Sequence, residues 1–273
     1  MNVDFFTFIG PNSADYADYL KYTCEKFISR EHNINWKCIE SVGAEKLPKG
    51  YRCVAKAPNM KHNSMNHGVA LNLALDYIES DYVIFIDADM AILYSNWDDI
   101  IINELTNKYD CFGVSYGHST KYKNFPTVYL FAFRSYILDK VKLDFCPKIT
   151  KGKEAPLKIK LTKENAHYFN MEPGKILKCD TGWELPLQIK KAGFNKFISL
   201  PMVSMKSKNS QLPFEDKNHK KLCMTKSNHQ SEWHRKGKIF TTHKQASRTQ
   251  PLNGTWGNAW KRRIDLFMKR NNQ

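Results

Sequence analysis

The feature that most constrains this chain is the run Tyr82-Val83-Ile84-Phe85-Ile86, which leads straight into Asp87-Ala88-Asp89. Apolar residues rich in β-branched and aromatic types predict a strand buried on both faces. In an open α/β sheet, ligands sit beyond the carboxyl ends of the strands, where these two acids fall. If the strand continues through them, Asp87 and Asp89 share one side, because side chains alternate with period two. Two hard oxygen ligands held close together suit Mn2+ or Mg2+, and such a cation suits a phosphate-bearing substrate. As a bare tripeptide, Asp-x-Asp is a weak signal that also reads as a polar strand end. Its position after a buried strand raises it.

The stretch before it is Asn66-His67-Gly68-Val69-Ala70-Leu71-Asn72-Leu73-Ala74-Leu75-Asp76-Tyr77-Ile78. A helix is expected over residues 69–79, with Leu71, Leu75 and Ile78 at helical spacing toward the sheet. Gly68 permits close backbone approach to a diphosphate, and Ala70 keeps the helix near it. Asn72 reaches the nucleotide or a neighbouring loop. His67 reads as a binding residue at the helix start in preference to a plain surface residue.

Gly-x-Ala-x-Asn-x-Ala on a helix, followed by a hydrophobic strand ending Asp-x-Asp, resembles the nucleotide-sugar-binding half of GT-A glycosyltransferases. The similarity is greatest to the family 2-like inverting enzymes. It implies a GT-A, Rossmann-like α/β fold: a mostly parallel central sheet flanked by helices, with an elaborated C-terminal acceptor region. It implies a single domain over residues 1–273, with a nucleotide-sugar-binding half at 1–110 and an acceptor-binding half at 111–273. Asp87, Ala88 and Asp89 would then meet the donor and its Mn2+ or Mg2+. Ile9 and Gly10, in the turn after the first strand, would touch the nucleotide base. Glu40, near the end of the second strand, would bond the uracil of a UDP-sugar. Tyr129, on a strand expected over 127–134, would lie near the acceptor.

Farther on, Cys179-Asp180-Thr181-Gly182-Trp183-Glu184 leads a helix that ends Ala192-Gly193-Phe194. Asp180 fits a helix cap, with Trp183 and Glu184 in the first turn. A large aromatic beside two acids at such a junction can hold a sugar ring. The pattern is similar to the segment of inverting GT-A enzymes that carries the catalytic base. The acidic pair usual there is missing, so Asp180 and Glu184 compete for the role, and Asp180 is preferred. Residues 238–243 read as a strand ending in His243, followed by Lys244 and Arg248. The resemblance implies His243 as a third metal ligand, and imidazole suits manganese. Lys244 and Arg248 would then meet the diphosphate. His219, His229 and His234 are rivals within residues 206–238, a polar stretch expected to be a flexible excursion. A terminal helix bearing Trp256, Trp260, Ile264 and Met268 is expected to pack on the domain by its apolar side.

The formal charge is +15, from 42 Lys and Arg against 27 Asp and Glu, so phosphorylated substrates, nucleic acid and anionic surfaces would all be attracted. A nucleic-acid-binding protein or metal nuclease is therefore an alternative, but the lysines are dispersed and no nucleic-acid-binding motif is present. A sugar nucleotidyltransferase is another alternative. It would carry a Gly-rich basic stretch after the first strand, which Gly10-Pro11-Asn12 does not supply. The seven cysteines are scattered singly, without Cys-x-x-Cys, and fit buried free thiols in a reducing compartment. No apolar run approaches the ~20 residues of a membrane span, and no signal peptide opens the chain, so a cytoplasmic location is expected, with peripheral membrane contact left open. The expected partners are a nucleotide-sugar donor and a glycan, glycoprotein or glycolipid acceptor, not nucleic acid.

Overall fold

The elements, in chain order, begin with β1 (Asn2–Ile9), α1 (Ser13–Phe27), β2 (Asn33–Glu40), β3 (Arg52–Lys56), α2 (Asn63–Leu75), β4 (Tyr82–Asp87) and β5 (Met90–Ile92). There follow α3 (Trp97–Asn107), β6 (Cys111–Val114), β7 (Leu130–Arg134), β8 (Lys158–Lys160), β9 (Ile176–Lys178) and α4 (Leu185–Lys191). The chain closes with β10 (Phe197–Leu200), β11 (Met202–Ser204), α5 (Lys217–Cys223), β12 (Gln230–Arg235), β13 (Lys238–Lys244) and α6 (Thr255–Asn271). This computed structural model describes residues 1–60, 62–117, 120–151, 155–225, 228–245 and 249–271.

The central sheet has seven strands in the order β10-β6-β7-β4-β1-β2-β3. Every neighbouring pair is parallel except the two made by β7, which runs antiparallel to β4 and β6. The expected mostly parallel sheet flanked by helices is therefore present. Residues Val3 to Ile9 are buried, as are Tyr82 to Ile86, because both strands lie inside the sheet with both faces covered. Alternation divides their side chains between two cores. Phe6, Phe8, Val83 and Phe85 pack with Ala70, Leu71 and Ala74 of α2. Val3, Phe5, Ile84 and Ile86 pack with Trp97, Ile101 and Leu105 of α3.

Near the start of β1, Asp4 is fully buried and heavily bonded. It accepts from the backbone N–H of Glu79 at 2.6 Å and of Ser80 at 3.0 Å, and pairs with Lys37 at 2.9 Å. These bonds fix the loop that feeds β4, and so fix where β4 ends.

The strand does not continue through both acids. β4 stops at Asp87, and Ala88 and Asp89 form a turn into β5. The chain turns there because β5 belongs to a second, antiparallel sheet in the order β11-β12-β13-β5. Helix α2 also starts earlier than the apolar periodicity suggests, at Asn63, capped by the His62 ring accepting from the Ser64 N–H at 3.1 Å.

Residues 206–238 are not a loose excursion. They contain α5 and β12, and β12 is an interior strand of the second sheet. Their polarity is misleading on β12, where Gln230, Glu232 and His234 are buried with polar partners. Arg263 of α6 is fully buried and donates to Gln230 Oε1 at 2.8 Å, with Glu232 Oε1 at 3.4 Å. Glu232 also accepts from Ser210 Oγ at 2.6 Å and from the Gln211 N–H at 2.8 Å. Two of the three rival histidines are engaged here: His219 contacts the Ala259 carbonyl at 2.8 Å and His234 the Glu232 carboxylate at 3.2 Å, while His229 is exposed. Helix α6 packs as expected, with Trp260, Ile264 and Met268 buried in the cluster that includes Tyr16 and Tyr19 of α1. Among the described residues no helix is long and apolar enough to cross a membrane.

Removing the Arg263 charge would leave Glu232 buried without its cation. Arg263→Met is expected to lower unfolding free energy by about 3–5 kcal/mol. Urea unfolding of the variant measures this; a loss well under 1 kcal/mol would show that the pair is not what seats α6.

Candidate functional site

The carboxyl ends of β1 and β4 open into a cleft of about 370 Å³. It is lined by Gly10, Pro11 and Ser13 of the β1–α1 turn, and by Asn63, Asn66, His67 and Ala70 of α2. Asp87, Ala88 and Asp89 lie between them, joined by Tyr129, His243 and Gln245.

Three of these side chains converge. One ligand atom from each of Asp87, Asp89 and His243 lies within 4.8 Å of the other two. The register explains how. β13 pairs antiparallel with β5 so that His243 stands opposite Met90, one residue past Asp89. The Lys244 N–H donates to the Asp89 carbonyl at 2.8 Å, extending the ladder into the turn. His243 Nε2 then lies 2.9 Å from Asp89 Oδ1 and 3.8 Å from Asp87 Oδ2. Its ring sits 4.7 Å from that of Tyr129, and its buried Nδ1 has no hydrogen-bond partner. Two carboxylates and one imidazole so arranged fit Mn2+ or Mg2+ by donor type.

His67 approaches the same acids from α2. Its Nε2 lies 3.3 Å from Asp87 Oδ1, an ion-pair contact without a directed hydrogen bond. Burial opposes the charged form of both His67 and His243. The carboxylates outweigh burial and raise both imidazoles above their ordinary value: Asp87 first for His67, Asp89 first for His243.

Several expected donor contacts lie elsewhere. Asn72 is spent on a neighbouring loop: its Nδ2 donates to Asp144 at 2.8 Å and its Oδ1 accepts from the Phe145 N–H at 2.8 Å. Gly68 serves the same loop. A Cβ there would come within 2.8 Å of Cys146 Cα and 2.9 Å of the Phe145 carbonyl oxygen. The close approach that requires glycine is to this chain's own backbone, not to a diphosphate. Glu40 is paired with Lys56 at 2.6 Å, while Ser41 and Val42 after it line the cleft. Ile9 is fully buried and accepts from the Ser41 N–H at 2.7 Å, whereas Gly10 lines the cleft. Lys244 follows His243 on the strand and so faces away from it. Its ammonium donates to Gln250 and to the Gln245 carbonyl at 2.9 Å, and burial pulls it down to about 8. Arg248 lies outside the described residues.

The acidic pair of the second half does not line the cleft. Asp180 stands beside it, because Thr181 Oγ1 donates to the Ser64 carbonyl in the first turn of α2 at 2.9 Å. Lys121 Nζ and Lys178 Nζ each lie 3.0 Å from Asp180 Oδ2. Burial would raise this carboxyl, but Lys121 foremost, with Lys178, holds it well below the usual carboxylate range. The stabilisation this gives is present above the unfolded value of 3.8 and is lost as pH falls below it. Glu184 occupies the N-cap position of α4 without a side-chain capping bond and is half-buried. Trp183 is a core residue, 5% exposed, stacked on Phe169 with Lys148 4.4 Å from its ring centroid. That placement offers no open ring face to a sugar.

Asn63 and Asn66 also line the cleft, and the sequence does not point to them because its apolar periodicity starts the helix several residues later. Nor does the sequence point to Gln245 and Lys121, for which it carries no local signal.

No family model matches this chain, and no curated protein matches it. Among solved structures, the mannosyltransferase PcManGT from Pyrobaculum calidifontis, in complex with GDP-Man and Mn2+, is 12% identical over 52% of this chain and 47% of its own, with a TM-score of 0.40. S. aureus TarS in complex with UDP is 18% identical over 53% of this chain and 50% of its own, with a TM-score of 0.36. An active-site mutant of LgtC is 14% identical over 50% of this chain and 58% of its own, with a TM-score of 0.36. The match thus spans about half the length of each of these proteins.

Gly68→Ala is expected to cost about 1–3 kcal/mol of stability, because the new methyl meets backbone that cannot swing aside. Denaturant unfolding measures it. Unchanged stability would return Gly68 to the list of ligand-facing positions.

Proposed function

We propose that the chain is a metal-dependent glycosyltransferase that moves a sugar from a nucleotide-sugar to an acceptor hydroxyl. The observation that carries this is the Asp87–Asp89–His243 cluster, set in a cleft between the β1–α1 turn and the start of α2. Acids at that place suit a cation and a phosphate group together. The resemblance of the helix–strand pattern to the nucleotide-sugar-binding half of GT-A glycosyltransferases supports a nucleotide-sugar over other phosphate ligands, and that resemblance implies UDP.

In this reading Asp87, Asp89 and His243 hold Mn2+ or Mg2+. When bound, the cation would neutralise charge developing on the leaving diphosphate. The start of α2 and the β1–α1 turn line the cleft where the phosphate groups would lie. His67 borders the same side of the cleft, where burial disfavours its charged form but Asp87, 3.3 Å away, raises the imidazole above its ordinary value. Tyr129 covers the His243 ring and faces the cleft, where the sugar or the acceptor would meet it. Asp180 takes the proton of the acceptor hydroxyl as that oxygen attacks the anomeric carbon, with Glu184 as the rival base. Attack from the side opposite the leaving group inverts the anomeric centre.

The test is a panel of UDP-, GDP- and dTDP-sugars, each with and without Mn2+, read as a shift in melting temperature. Ligand at ~100 times Kd stabilises the native state by roughly 2.7 kcal/mol. One nucleotide should give a shift that needs metal and that vanishes in Asp89→Ala. A shift with oligonucleotides alone would overturn the proposal. For the base, Asp180→Asn should keep donor binding and abolish transfer. Normal transfer by Asp180→Asn, together with loss in Glu184→Gln, would move the role to Glu184.

A further inference from the structure

Asp180 is held by two ammonium groups at once, and one of them is buried. Lys121 is 7% exposed, and its Nζ lies 4.8 Å from the ring centroid of Tyr116 as well as 3.0 Å from Asp180. Lys178 reaches the same oxygen from the solvent side, its side chain 36% exposed. Two cations on one carboxylate leave one positive charge without a partner in the cluster. A desolvated ammonium is costly unless it is fully paired.

The backbone holds this arrangement in place. The Lys178 N–H donates to the Thr120 carbonyl at 2.9 Å, which ties the end of β9 to the residue before Lys121. The Thr181 N–H donates to Asp180 Oδ1 at 3.0 Å. Ser64 of α2 is the remaining polar neighbour, and the charge of Asp180 is felt by His67, Tyr116, Tyr122 and Tyr129. The segment that leads to Lys178 is basic in sequence: residues 140–178 carry ten lysines against four acidic residues.

We infer that Lys121 and Lys178 form an oxyanion subsite for the acceptor, and that Asp180 occupies it in the ligand-free protein. The assignment to an acceptor rests on the proposed glycosyl transfer; the subsite itself does not. A phosphoryl or carboxylate group of the ligand takes the two ammonium groups in place of Asp180. Asp180 is then relieved of the charges that weaken it as a base, beside the molecule that displaced it. In the transfer step the acceptor hydroxyl proton passes to Asp180 and the acceptor oxygen bonds the anomeric carbon. The bond from that carbon to the diphosphate breaks, and its electron pair leaves with the diphosphate. The acceptor class is therefore a sugar or glycan bearing a negative charge.

The experiment is calorimetric titration of glucose-6-phosphate, glucuronate and glucose, in EDTA so that the metal cluster does not contribute. The proteins are the full chain, Lys178→Met and Asp180→Asn. Lys178 is part-exposed, so its replacement leaves the fold in place, and melting temperature monitors this. One of the two anionic sugars should bind while glucose does not, and which one binds names the phosphoryl or the carboxylate source. Lys178→Met should weaken that binding about tenfold, and Asp180→Asn should tighten it about tenfold. Failure of both anions to bind, or binding unaltered by either variant, overturns the subsite. UDP-sugar with Mn2+, titrated separately, should bind Lys178→Met and the parent equally. Loss of nucleotide binding throughout, with the anion responses intact, would remove the glycosyltransferase reading and leave the subsite standing.

Discussion

The site depends on one strand pairing. β5 is only three residues long, yet its antiparallel register with β13 sets His243 beside Asp89 across 154 positions of sequence. Everything that steadies β13 therefore steadies the site. Its Thr241 hydroxyl donates to the Ala91 carbonyl at 2.8 Å, and its Thr242 hydroxyl to the Ser231 carbonyl at 2.9 Å. The Trp260 indole of α6 reaches the Thr242 hydroxyl at 3.3 Å, so the terminal helix braces the strand that carries His243.

The other half of the site is positioned by burial of charge at the opposite end of the sheet. Asp4, at the start of β1, gathers the loop before β4, so the two central strands reach the cleft in fixed register. Carboxylates at one end serve structure, and those at the other end face the cleft. The difference lies in their partners. Asp4 is filled by Lys37, Asn35 and backbone N–H groups, whereas Asp87 and Asp89 face two histidines and a cleft.

Asp180 stands between these cases. Its two lysines satisfy it as a structural acid would be satisfied, yet it borders α2 beside the cleft and reaches solvent through Lys178.

The sequence by itself determined the buried strand ending in Asp87, the helix before it, the mostly parallel sheet and the terminal helix. Each is a local pattern of apolar residues, with period two or 3.6, that must find a core. His243 was also legible, as an imidazole at the end of an apolar strand. Tertiary structure alone decided what the polar residues do. Asn72 and Gly68 carry the same letters whether they meet a ligand or the 144–147 loop, and the loop took both. Trp183 reads as a sugar platform until Phe169 and the surrounding core close over it. Residues 206–238 read as solvent-exposed because Glu232 and Gln230 are polar, and only the arrival of Arg263 from α6 permits their burial. The reason is common to all of them. Apolar burial is non-directional and can be read from pattern, whereas a buried polar group is defined by a partner that the fold alone brings to it.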